Sequence, residues 1–189
     1  MKKTLNYIII LGAILLLSFD MPKGWSSGGT DLTQYEMGID KGSGQNGTNA
    51  ATIKSIPKNP KAFGTMLQAF EPGIYLGKRI KMSGSMKSVN VDNWAGFWLR
   101  VDQSKSKESL SFDNMGDRPI KGTTDWKYCE IVLDVPENAS LIYFGALLSG
   151  KGQIWFDNIK FEIVDKSVPT TGKSKGENNS EPENLDFEK

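Results

Sequence analysis

Two tryptophans and an arginine recur at even spacing in the run Trp94-Ala95-Gly96-Phe97-Trp98-Leu99-Arg100-Val101. In an extended segment successive side chains point to opposite faces. Trp94, Gly96, Trp98 and Arg100 then share one face, and Ala95, Phe97, Leu99 and Val101 the other. The second set is a plain core face. The first joins indole platforms, which stack on apolar ring faces, to a guanidinium, which donates to hydroxyls or carboxylates. That is the chemistry of a surface for a carbohydrate or another small polar ligand. The rival assignment buries both indoles between sheets and leaves Arg100 reaching out at the edge. The exposure of Trp94 and Trp98 separates the two.

A second candidate lies a few residues on, in the polar loop Asp113-Asn114-Met115-Gly116-Asp117-Arg118-Pro119. Polar loops beside a rigid sheet commonly carry function, and Asp113, Asn114 and Arg118 are the candidate contacts, Arg118 first. The plainer alternative is an ordered turn in which Asp113 and Asn114 bond the local backbone.

Composition removes most catalytic chemistry. The chain has no histidine, so His-based triads, His general bases and His-containing zinc sites are excluded. Its single cysteine, Cys129, allows no intrachain disulfide and no cysteine metal cluster. Placed mid-strand, Cys129 reads as a small buried apolar residue. A net charge of +1 gives no argument for nucleic acid or an anionic membrane. Asp102, Asp113, Glu130 and Asp157 offer carboxylates for a glycosidase pair, but scattered acids are ordinary on a small sheet protein and a deep cleft has little room. The expectation is a protein without catalytic activity.

The elements that must position these residues are strands. Residues 1–18 read as an export signal or short anchor: Lys2 and Lys3 precede an apolar run at 7–17, too short for a comfortable span of about 20 residues. Residues 19–33 read as loop. Strand candidates follow at 35–39, 50–55 and 64–70. Residues 78–87 alternate cleanly, with Ile80, Met82, Gly84 and Met86 on one face. After the central run, 113–125 reads as a long loop. Residues 127–135 alternate again, 141–148 is nearly all apolar, and 154–164 is the last long strand, with Trp155, Ile159, Phe161 and Ile163 on one face. Trp126 and Trp155 are expected in the core. About nine strands joined by Gly/Pro turns argue for an all-β antiparallel two-sheet sandwich over 19–165. Residues 166–182 turn to Thr, Gly, Lys, Asn, Ser and Glu, a flexible linker. In 183–189 Leu185 and Phe187 regain alternation, which predicts a terminal strand that docks on the sandwich and covers an open edge.

Several runs are long enough to be specific: FGTMLQAF, YLGKRIKMSG, WAGFWLRVD, FDNMGDRPIKGTTDW, IVLDVPENA and FGALLSGKGQIWFDNIKFE. They resemble a family of small bacterial proteins of unassigned role, some labelled AraC-type transcriptional regulator. No helix-turn-helix pattern or basic helix accompanies the resemblance here, and an export signal is at odds with binding DNA. More distantly, Gly122-Thr123-Thr124-Asp125-Trp126 and Trp155-Phe156-Asp157-Asn158-Ile159 are similar to the motifs of galactose-binding-like jelly rolls in carbohydrate-binding modules. That resemblance implies a jelly roll, a saccharide partner and a structural calcium held by acids on the first and last strands. The corresponding acids here are Asp157, Asp186 and Glu188, although the NLDFE motif stands at the end of this chain and not at the start.

The expected function is therefore an exported binding module, periplasmic, at the cell surface or extracellular. It touches a membrane only through its N-terminal segment. An interaction sandwich without a small ligand, a sensor domain related to transcriptional regulators and a glycoside hydrolase are the rivals.

Overall fold

The computed structural model describes residues 19–104 and 108–174. Among them ten strands join into one antiparallel hydrogen-bonded sheet. In chain order these are β1 (Ser26–Gly29), β2 (Tyr35–Asp40), β3 (Ala50–Ser55), β4 (Phe63–Phe70) and β5 (Lys78–Asp102). Then come β6 (Ser109–Asp113), β7 (Ile120–Val135), β8 (Leu141–Ser149), β9 (Gln153–Val164) and β10 (Lys173–Ser174).

Everything turns on β5, a run of 25 residues. Alternation predicts two strands here, ending near Lys87 and resuming at Trp94. No proline separates them, and the chain bends at Asn90, whose φ is 52°, instead of breaking. Its register against β7 slips three times between Met86 and Ala95. Such bulges bend a strand and sharpen its twist. Before the bend β5 lies between β7 and β9, and after it β5 lies beside β8 and β6. Changing neighbours in mid-strand curls the sheet into two limbs, β2–β3–β9–β5–β7 and β1–β4–β8–β5–β6. The limbs face each other and leave the sheet nearly closed, like a barrel.

Apolar side chains from both limbs fill the space between them. Ile53, Met66, Phe97, Leu99, Ile131 and Leu148 are fully buried there. Phe144 of β8 meets Phe161 of β9 edge-on, with ring centres 5.0 Å apart. Edge-to-face pairs of this kind add about 0.5–1.5 kcal/mol beyond area burial.

Four sequence expectations need correction. The stretch read as loop at 19–33 contains β1: Ser-Ser-Gly-Gly has no intrinsic strand preference, and pairing with β4 imposes one. The loop read to 125 already ends at Ile120, where β7 begins and follows the bent part of β5. In β9 a bulge at Asn158, with φ of 58°, shifts the phase. Ile154 and Phe156 point inward before it, and Ile159 and Phe161 pack on the core after it. Trp155 therefore lies on the outer face, not in the core. So does Trp126: Lys87 Nζ stands 5.4 Å from the Trp126 ring and 4.7 Å from that of Trp155. Finally, the first part of the stretch read as flexible linker is hydrogen-bonded to the fold. Thr171 N–H donates to Val132 O at 2.9 Å, and Lys173 pairs with Phe112. The expected signal segment at 1–18, the rest of the linker and the strand at 183–189 lie outside the described residues.

Arg79 anchors this returning segment. Its guanidinium pairs two-pronged with Asp134, at 2.9 and 2.8 Å, and also donates to Lys166 O and Val168 O. The bonds from Arg79, opposed by partial burial, hold the Asp134 carboxyl below its ordinary 3.8. The folded state thus keeps this carboxylate ionised where the unfolded chain begins to protonate it. Its stabilisation is complete above the unfolded value and is lost as pH falls through the lower, folded one. Asp134→Asn is expected to cost about 1–2 kcal/mol near neutral pH. In urea melts the gap between variant and wild type should shrink as pH falls below the ordinary 3.8. A gap independent of pH would refute the assignment.

Candidate ligand-binding cleft

The outer face of the second limb, turned away from the core, is built by register. Trp94 stands opposite Ser149, Gly96 opposite Leu147, Trp98 opposite Gly145 and Arg100 opposite Tyr143. On β4, Phe63, Thr65 and Leu67 continue the same rows. On the other side Phe112 pairs with Arg100. The alternation of β5 is therefore as its residue types indicate: Ala95, Phe97, Leu99 and Val101 are buried inward, while Trp94, Trp98 and Arg100 are half-buried on the outer face.

Neighbouring strands lie about 4.8 Å apart, yet Trp98 Nε1 on β5 reaches past β8 to Thr65 Oγ1 on β4, at 2.8 Å. The β8 residue opposite Trp98 is Gly145, where an added Cβ would collide with Met66 O. The Thr65 hydroxyl donates in turn to Ala146 O at 2.7 Å. This two-bond chain fixes the ring in position. Trp94 is flanked by Asn93, whose amide donates to Ser149 Oγ at 2.9 Å. Arg100 donates from Nε to Asp102 Oδ1 at 2.7 Å.

Together these groups line a cleft of ≈ 510 Å³, within the usual range for small-molecule sites. Trp94, Trp98, Arg100 and Asn114, all named from the sequence, lie in its wall. Phe63 and Phe112, 37% and 38% exposed, supply apolar surface the sequence did not point to. Nothing in the sequence marks Phe63, Thr65, Leu67 or Leu147 as neighbours of Trp98, because only strand pairing brings them there.

Asp113 and Arg118, the other ligand contacts expected from the sequence, do not line this cleft. Asp113 pairs with Leu99 and takes the inward side of β6. At 6% exposure its carboxylate accepts from Arg118 Nη2 (2.6 Å), Thr171 Oγ1 (2.5 Å) and Met115 N (2.8 Å). Arg118 also donates to Asp117 Oδ1 and Glu130 O. Burial works against its charge, but the bonds to Asp113 and Asp117 outweigh it and raise its pKa. Arg118 lines a separate hollow beside Cys129, whose thiol burial pushes up and so keeps protonated.

The calcium implied by resemblance finds little support in the residues at hand. Asp157 accepts from Asn158 N at 2.7 Å and from Thr48 Oγ1 at 3.4 Å. Among the described residues no group of three or more acidic, histidine or cysteine side chains could hold a metal. Asp186 and Glu188 lie outside the described residues.

The chain has the all-β fold of carbohydrate-binding-module domains. The CBM22-1 xylan-binding domain from Paenibacillus barcinonensis matches with a TM-score of 0.55 at 10% identity, over 78% of this chain and 90% of that one. A family 16 carbohydrate-binding module matches with a TM-score of 0.51 at 14% identity, over 68% and 86%. The enzymatically active domain of bacteriophage CBA120 tailspike protein 4 matches with a TM-score of 0.57 at 14% identity, over 75% and 20%. In sequence, the chain is similar to an uncharacterized HTH-type transcriptional regulator, YbfP, of Bacillus subtilis (strain 168), 46% identical over 168 residues. The match takes in 88% of this chain and spans 57% of that relative. No family model matches.

Proposed function

We propose that this chain is a non-catalytic binding domain, its one sheet folded into the two facing limbs of a galactose-binding-like jelly roll, that holds a carbohydrate in the outer-face cleft. The observation that carries the proposal is the convergence of Trp94, Trp98 and Arg100 on one cleft, with Trp98 fixed by Thr65. Half-buried indoles on a preformed wall offer ring faces to a sugar at low ordering cost. Among the described residues no carboxylate lines the cleft, whereas glycoside hydrolysis calls for two. That several fold neighbours are described as carbohydrate-binding agrees with this choice.

The 46% identity to a transcriptional regulator supports a sensory use of the same binding domain. The basic start and apolar run of residues 1–18 support export or anchoring of this chain. Fractionating cells that express the full chain tests the location: recovery in the cytoplasm at full length would refute export.

Binding is tested by isothermal titration with neutral and acidic oligosaccharides. Trp98→Ala should weaken any saccharide that binds by roughly tenfold to thirtyfold, the equivalent of about 1.4–2 kcal/mol. Saccharide binding that survives Trp98→Ala unchanged would move the site elsewhere.

A further inference from the structure

We infer that the saccharide held in this cleft is acidic, a uronate-bearing oligosaccharide long enough to extend beyond the cleft; this rests on the carbohydrate assignment above. The charge of the walls carries the inference. Arg100 is the charged residue lining the cleft. Beside the cleft lies a second hollow of ≈ 380 Å³, which shares Phe63 and Ser149 with it, and its charged lining residue is Lys61. Among the described residues, the two contiguous depressions are thus lined by two cations and by no Asp or Glu, Asp102 meeting Arg100 from outside the lining. A neutral sugar has no use for that bias, whereas a chain of carboxylates does.

Arg100 is held in the form suited to a carboxylate. Asp102 takes its Nε at 2.7 Å and stays mostly buried itself. Among the described residues no hydrogen bond to Arg100 other than this one occurs, so its Nη1/Nη2 edge is open. The guanidinium side chain is 38% exposed. A guanidinium tethered through Nε presents its end-on pair of donors in fixed orientation, the geometry of two-pronged carboxylate recognition. A purely structural arginine looks different here: Arg79 spends Nε, Nη1 and Nη2 on Asp134 and two backbone carbonyls.

Length follows from the strand. Arg100 and Trp94 are six residues apart on β5, about 20 Å of extended chain. Phe63 and Ser149 lie in the Trp94 row, and Lys61 stands two residues beyond Phe63. A ligand that meets both cations therefore crosses both indoles and covers several sugar units. Asp92, next to Asn93 in the wall of the second hollow, turns its Oδ1 to the Lys151 N–H at 2.6 Å.

The test is titration of the full chain with oligomers of galacturonate, glucuronate and mannuronate. Each is paired with the neutral oligomer of the same linkage and length, at fixed ionic strength. At least one acidic oligomer should bind tenfold or more tightly than its neutral partner. Arg100→Gln should remove most of that preference, weakening each acidic oligomer at least fivefold more than its neutral partner. Arg100→Lys, which keeps the charge but not the fork, should restore only part of it and guards against a Gln variant that folds poorly. Lys61→Gln should weaken long acidic oligomers and spare short ones. Equal binding of acidic and neutral partners, or equal weakening of both by Arg100→Gln, overturns the acidic ligand and leaves the carbohydrate site standing. Binding of none of them overturns the carbohydrate assignment itself.

Discussion

Phe97→Ala is expected to lower the unfolding free energy by about 3–5 kcal/mol, and Trp98→Ala, one residue away, by about 1–2 kcal/mol. The difference follows from strand alternation alone. Phe97 is 1% exposed and meets Phe156 edge-on, with centroids 6.1 Å apart and planes at 89°. Its ring fits against Gly84, where an added Cβ would come within 2.9 Å of Cζ. Removing the ring leaves a cavity that neighbours from both limbs cannot collapse into. Against a typical total of about 5–15 kcal/mol, that loss brings the variant close to unfolding. Trp98 is larger but only partly buried on the outer face, and its removal forfeits one hydrogen bond and that partial burial. Urea melts followed by circular dichroism measure both. Equal losses for the two variants would mean that Trp98 is core and that the outer-face cleft does not exist.

The alternation behind that contrast was legible in the sequence because β5 is free of proline on both sides of its bend, but whether the indole face is open or covered was not. The strand-forming pattern of 78–87, the central run and 127–135 was legible for the same reason. What escaped was whatever depends on one strand meeting another. β1 has a composition that predicts loop, and pairing with β4 makes it a strand. The bulge at Asn158 is a single residue in a left-handed conformation, enough to send Trp155 outward and Phe161 inward. Within the cleft, the indoles and Arg100 announced themselves by type, but Thr65 and Leu67 are unremarkable until β8 aligns them with Trp98. Asp113 and Arg118 fall outside the cleft for another reason. Polar side chains in a loop look the same whether they bond a ligand or each other, and only burial tells them apart.

Asp113 yields the sharpest separation of those two cases. Its carboxylate is the meeting point of three parts of the chain. It holds the turn after β6 through Met115 N, the start of β7 through Arg118, and the returning C-terminal segment through Thr171. Thr171 in turn accepts from Val132 N at 2.9 Å, and two residues later β10 pairs with β6. Removing the carboxylate leaves Arg118 with Asp117 and Glu130 O, and takes from the Thr171 hydroxyl its acceptor on Asp113. Losing a charge-assisted bond of this kind costs about 1.5–3 kcal/mol. Asp113→Ala should therefore melt below wild type. Thr171→Val removes one hydrogen bond and should cost about 1 kcal/mol. Amide exchange distinguishes the mechanism from a general loss of stability: at Thr171 and Lys173 it should quicken in both variants, while at Phe97 and Leu99 it should track the global stability of each. Binding at Trp94, Trp98 and Arg100, measured where Asp113→Ala is still folded, should change little. A variant that melts like wild type but no longer binds saccharide would restore Asp113 to the ligand contacts and break the link between this carboxylate and the C-terminal segment.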